Sequence, residues 1–199
     1  GTRCNQLVST IDLATTILTL GGLPVSRNYM GKDFTALLKG ENVEIRDSIF
    51  AEKNWHDYED RSRAVRDRRY KYIINHYPDL PATPPADAAR SDTFKEMQRL
   101  RAEEQLPDVQ STCFRAPRPR EELYDLTTDP HELNDLARDP AHQDTLERLR
   151  AEYKQWRLRT REQIPRLRTP DEFDRVTGKP TPARIRPRWS KAKMIEEGV

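Results

Sequence analysis

Cysteine is nearly absent from this chain of 199 residues: Cys4 and Cys113 are the only two, too few and too far apart for a disulfide framework or a zinc site. The four histidines, His56, His76, His131 and His142, show no metal-binding helical spacing, so no autonomous metal site is expected. Glycine is scarce, with seven in all, which leaves no phosphate-cradling loop and no Gly-x-Ser-x-Gly elbow for a nucleophile. No apolar run is long enough to span a membrane. The best stretch, Leu7 to Leu23, is broken by Asp12, by hydroxyl residues and by Gly21-Gly22. The opening Gly1-Thr2-Arg3-Cys4 has neither an initiator Met nor a signal-peptide core, which places the expected N-terminus upstream.

Leu, Ile, Val and Phe number 39, a share low enough to suggest disorder, but the net charge of only +2 removes the other half of that signature. Part of the chain should therefore fold and part should not. Arginine makes up 26 of the 35 basic residues. That bias suits bidentate recognition of sulfate, phosphate or carboxylate, although solvated arginines explain it as simply. Acidic residues alternate with basic ones nearly everywhere, which argues against a nucleic-acid partner.

Apolar periodicity predicts a helix from Ser9 to Leu20, stopped by Gly21-Gly22, and a short helical turn from Phe34 to Lys39. Strands are expected at Ser48–Glu52, Ser62–Arg66, Arg69–His76 and Glu121–Leu126, the middle pair turning near Asp67-Arg68. Asp139-Pro140 provides an N-cap and a first-turn proline for a helix from Pro140 to Thr160. Its stripe of Leu146, Leu149, Tyr153 and Trp156 should cover one face of the sheet. Residues 78–119, with seven prolines, read as an insertion holding a charged helix capped through Thr93-x-x-Glu96. The segment 164–199 reads as an extended basic tail that Trp189 pins to the body.

The most site-like cluster is Glu52-Lys53-Asn54-Trp55-His56-Asp57-Tyr58, at a strand end where rigid scaffolds present functional side chains. A polar loop with its two aromatics packed inward is the plain alternative. Arg61, Arg63, Arg66, Arg68 and Arg69 either extend an anion-binding surface or guard an exposed strand edge.

Glu122-Leu123-Tyr124-Asp125-Leu126, followed by Asp129-Pro130-His131-Glu132 and Asn134-Asp135-Leu136-Ala137, resembles the C-terminal signature of the sulfatase family, with Asp135 as an inserted residue. Leu7 to Leu18, then Gly21-Gly22-Leu23-Pro24 and Gly31-Lys32-Asp33-Phe34, is similar to that family's helix near the end of its catalytic domain. Arg63-Ala64-Val65-Arg66, Tyr70 to Asn75, the insertion with Thr93-Phe94, and Trp156 are similar to the N-sulfoglucosamine sulfohydrolase (sulfamidase) branch and to related bacterial sulfatases.

The resemblance implies an α/β protein with an α+β subdomain: a four-stranded antiparallel sheet packed on a C-terminal helix, preceded by the last helical part of a catalytic domain. The domains implied are 1–45, the end of that catalytic domain; 46–163, the subdomain with its insertion; and 164–199, the tail. Family members hydrolyse sulfate esters or N-sulfates of sugars with a formylglycine and a Ca2+ ion. Neither Cys4 nor Cys113 sits in the required Cys-x-Pro-x-Arg context, so both groups are expected upstream, with no catalytic residue and no metal ligand here. His56, Glu52, Lys53 and Asp57 are then the expected substrate-binding residues. The implied partner is a sulfated sugar, with a homodimer left open, and the implied compartment is periplasmic, extracellular or lysosomal. A non-catalytic anion-binding or protein-interaction module is the competing reading.

Overall fold

The computed structural model describes Gly1 and residues 3–184; Trp189 lies outside the described residues. In chain order the helices are α1 (Ile11–Leu20), α2 (Thr35–Leu38), α3 (Ala86–Ala89), α4 (Asp92–Ala102) and α5 (Gln143–Thr160), and the strands are β1 (Ile49–Lys53), β2 (Ser62–Arg66), β3 (Tyr70–Asn75) and β4 (Glu121–Asp125). Two compact units emerge. The first comprises Gly1–Lys53, Ser62–His76 and Pro119–Ile164; the second comprises Asn54–Arg61, Tyr77–Arg118 and the described residues from Pro165 onward. Packing thus draws these units through discontinuous segments of the chain.

In the first unit the four strands lie in the order β1-β2-β3-β4, all antiparallel. Asp67 makes the tight β2–β3 turn by accepting the backbone N–H groups of Arg69 and Tyr70 at 2.7 and 2.6 Å. The register aligns Phe50, Val65, Tyr72 and Leu123 in one row across all four strands. Because side chains alternate faces along a strand, that row belongs to a single face, and the stripe of α5 covers it. Val65, Tyr72, Leu123, Leu146, Leu149, Tyr153 and Trp156 form the core, and Phe50 stacks on Trp156 with ring centroids 5.4 Å apart. The expected sheet-on-helix architecture is the observed one. A 3-10 turn, Pro140–His142, leads into α5, with Asp139 accepting the Ala141 N–H at 2.9 Å.

Helix α1 inverts the usual amphipathic rule. Its buried residues are Asp12, Thr15 and Thr16, while Ile11, Leu13, Ile17 and Leu20 are all exposed. Asp12 accepts the backbone N–H groups of Ser9 and Lys32, each at 2.7 Å, and pairs bidentately with the Arg46 guanidinium, whose Nε lies 2.8 Å from Oδ2. Burial alone would raise the Asp12 pKa, but the hydrogen bonds from Arg46, Lys32 and Ser9 outweigh it and hold the carboxyl below its ordinary value. Gly31 lies against the carbonyl of Ile11, and any Cβ there would also meet the Thr15 hydroxyl at 2.7 Å. This close approach lets the Asp12 carboxylate reach the loop.

The second unit has a small core of Tyr58, Ala86 and Phe173. Helix α4 starts two residues earlier than the Thr93 capping box suggests: Ser91 is the N-cap and accepts the Phe94 N–H at 3.2 Å. Residues 165–184, expected as part of an extended tail, pack instead. Phe173 is buried and bridges to Pro180. Arg175 pairs with Asp171 at 2.6 Å, donates to the carbonyls of Glu59 and Pro81 at 2.7 and 3.1 Å, and lies over the Tyr58 ring. These polar ties have no period, so hydrophobic patterning cannot reveal them.

Candidate functional site

Strand β1 delivers Glu52 and Lys53 to its C-terminal end in the first unit. Directly opposite Glu52 in the register stands Arg63, whose side chain is only 2% exposed. Its guanidinium donates to Glu162 at 2.5 Å, to the Lys53 carbonyl at 3.2 Å and to the Ser62 carbonyl at 2.8 Å, and lies 3.3 Å from the Glu52 carboxylate. Glu162 in turn receives the Tyr153 hydroxyl at 3.3 Å and lies 3.0 Å from Arg157, while His76 is 2.7 Å from that same hydroxyl. Burial, with Glu162 adding to it, pushes the Tyr153 pKa up to about 12. A buried, multiply hydrogen-bonded arginine fixes backbone as well as charge.

That finding corrects the exposed-edge alternative for the arginine run. Strand β2 is interior to the sheet, and its Arg63 points into a polar network. Arg61 is buried, Arg69 is bidentate to Asp125, and Arg68 lies 3.1 Å from Glu44. The cross-strand opposition of Glu52 and Arg63 is the signal that could have found this network in the sequence, since opposite charges facing each other in a sheet form a pair.

In the second unit His56 and Asp57 are brought together, with Nδ1 3.3 Å from Oδ2 and the imidazole 80% exposed. Asp57 has a second task, because its Oδ2 accepts the Ala86 N–H at 2.7 Å in the first turn of α3. The loop aromatics divide: Tyr58 is buried, whereas Trp55 is partly buried and donates its indole N–H to the Pro170 carbonyl at 3.1 Å. An exposed imidazole beside an anchored carboxylate can donate to or orient an oxygen of a bound sugar. Among the described residues no three of His, Cys, Asp and Glu converge to hold a metal ion.

The signature residues 122–137 build the turn after β4. Asp125 receives both Arg69 nitrogens, at 3.0 and 2.7 Å, and the N–H and hydroxyl of Thr127. The Arg69 hydrogen bonds hold its pKa well below the carboxylate range. Asp129 accepts the Asn134 N–H at 2.8 Å, and Asp135 accepts those of Leu123 and Ala137 at 3.0 and 2.9 Å. Glu132 adopts a positive φ of 58° and meets Lys71 at 2.6 Å. Three acids of this signature, Asp125, Asp129 and Asp135, thus hold backbone N–H groups, while Glu122 and Glu132 bind side chains.

Residues 1–115 match the family model described as N-sulphoglucosamine sulphohydrolase, C-terminal. The chain is 39% identical over 153 residues to an ulvan-active sulfatase of Formosa agariphila, which covers 76% of this chain and 25% of that protein. It is 27% identical over 166 residues to human N-sulphoglucosamine sulphohydrolase, covering 77% of this chain and 32% of the relative. Among solved structures, a 2-O GAG sulfatase superposes with a TM-score of 0.55 at 22% identity, over 81% of this chain and 27% of that one. The chain therefore spans between a quarter and a third of these relatives.

Proposed function

Because this chain belongs to the N-sulphoglucosamine sulphohydrolase C-terminal family and is the C-terminal region of a sulfatase, we propose that the complete protein hydrolyses sulfate esters or N-sulfates of sugars and that this region helps to shape the substrate pocket. The observation that carries this reading is the 39% identity to a sulfatase active on ulvan, over three quarters of the chain. A solved structure that shares the fold, described in complex with its substrate D-glucosamine-2-N,6-O-disulfate, is consistent with a sulfated sugar as the substrate class.

In this reading residues 1–45 close the catalytic α/β domain, and the outward Ile11, Leu13, Ile17 and Leu20 of α1 are the face it would bury. The formylglycine and Ca2+ of the reaction belong to sequence outside this chain, and the compartment is periplasmic, extracellular or lysosomal. Glu52 and Lys53, set by Arg63, and His56, set beside Asp57, are the residues assigned to the pocket.

The test is sulfate release by the full-length protein from sulfated oligosaccharides, both O- and N-sulfated. Replacing His56 by Ala, or Lys53 by Met, should lower kcat/KM by about tenfold or more, equivalent to roughly 1.4 kcal/mol of transition-state binding, with little change in Tm. Absence of sulfate release by the unmodified full-length protein from every substrate would overturn the reaction class. Unchanged kinetics in both variants would overturn the pocket assignment alone.

A further inference from the structure

The second unit holds a cavity of about 410 Å³ that plays no part in the reading above. Phe94, Ala102, Phe114 and Val176 give it an apolar interior, and two arginines, Arg101 and Arg175, stand in its wall with no carboxylate among the lining residues. The size and the mainly apolar lining are those of small-molecule sites. The two arginines differ in their engagements. Arg175 is neutralised by Asp171 and tied to backbone carbonyls. Arg101 lies over the Phe114 ring, its guanidinium carbon 5.0 Å from the centroid, and among the described residues no carboxylate pairs with it.

The charges of α4 explain why Arg101 is left over. Two positions earlier on the same helix, and so on its opposite side, Arg99 takes Glu96 and Glu103, each at 2.6 Å. The charge of Arg101 also acts within the cavity: burial pushes the Cys113 thiol pKa up, and Arg101 draws it partly back. An apolar chamber with one uncompensated cation at its wall is complementary to a molecule with an apolar body and a single negative group.

We propose that this cavity is a binding site for a small amphiphilic organic anion, an aryl or short alkyl sulfate, sulfonate or carboxylate, with the anionic group on Arg101 and the apolar body between Phe94, Ala102 and Val176. The site is independent of sulfate hydrolysis, since none of its residues is assigned to the pocket of the proposed reaction.

The experiment is calorimetric titration of the full-length protein with naphthalene-2-sulfonate, with 2-naphthol as the uncharged control, while the alkylation rate of Cys113 is followed by peptide mass spectrometry. The expected result is saturable binding that slows Cys113 alkylation, weakens at least tenfold in Arg101→Gln and is lost in Ala102→Trp, where the new ring fills the chamber. Ala102 is exposed, so that variant should fold, and an unchanged Tm checks it. Equal affinity in the wild type and both variants would place the probe elsewhere and overturn the proposal, as would the absence of binding. Equal binding of 2-naphthol would overturn the role of Arg101.

Discussion

Helices α1 and α5 carry the same kind of amphipathic pattern and meet opposite fates. The apolar stripe of α5 lies under the sheet, with Leu146, Leu149, Tyr153 and Trp156 all buried. In α1 the polar side is buried through Asp12, Thr15 and Thr16, and the apolar side is left outward. Period and hydropathy say which face of a helix is apolar, and they say nothing about what covers it. A buried carboxylate with three sources of hydrogen bonds can anchor a helix as firmly as a leucine stripe, provided its partners are all in place.

Leu149→Ala offers the largest test of that contrast. With Leu149 fully buried, the substitution should cost about 3–4 kcal/mol in urea unfolding of this chain. Asp12→Asn comes next, because it weakens the pairing with Arg46 at about 2 kcal/mol. The same variant carries a pH signature. The folded-state pKa of Asp12 is lowered, so its contribution to stability is complete above the unfolded carboxylate pKa and fades as pH falls through the lowered folded value. Unfolding curves of wild type and Asp12→Asn should converge at acid pH, and a constant gap would remove the anchor role.

Smaller effects sharpen the comparison at the helix starts. Asp139→Ala removes the side chain that holds the Ala141 N–H ahead of α5 and should cost about 1 kcal/mol in thermal unfolding. Thr10→Ala should cost less, since Thr10 makes no side-chain cap bond to α1. Ile17→Ala should change the stability of this chain by less than about 0.5 kcal/mol, because Ile17 is 66% exposed. A cost close to that of Leu149→Ala would erase the distinction between the two helices.

How much of this was legible follows from which forces are periodic. Alternation located β2 and β3 to the residue or nearly so, and the spacing of Leu146, Leu149, Tyr153 and Trp156 found both α5 and its buried side. The polar anchors were not legible. Nothing local marks Asp12 as the acceptor for Arg46, 34 positions away, or Arg175 as the tie for Glu59. The His56–Asp57 pair was visible because its members are adjacent in sequence, while Arg63 was hidden among neighbouring arginines that look alike until the register sets it against Glu52.

The clasp formed by Arg175 also sets an order of events during synthesis. Its donation to the Glu59 carbonyl joins residues 116 positions apart, and Phe173 completes a core begun by Tyr58. At about 5–20 residues per second on the ribosome, roughly 6–23 s pass between the appearance of the acceptor and that of the donor. By the time Arg175 emerges, α5 and all four strands have been made, so the first unit can begin to assemble while the second still waits for its closing residues.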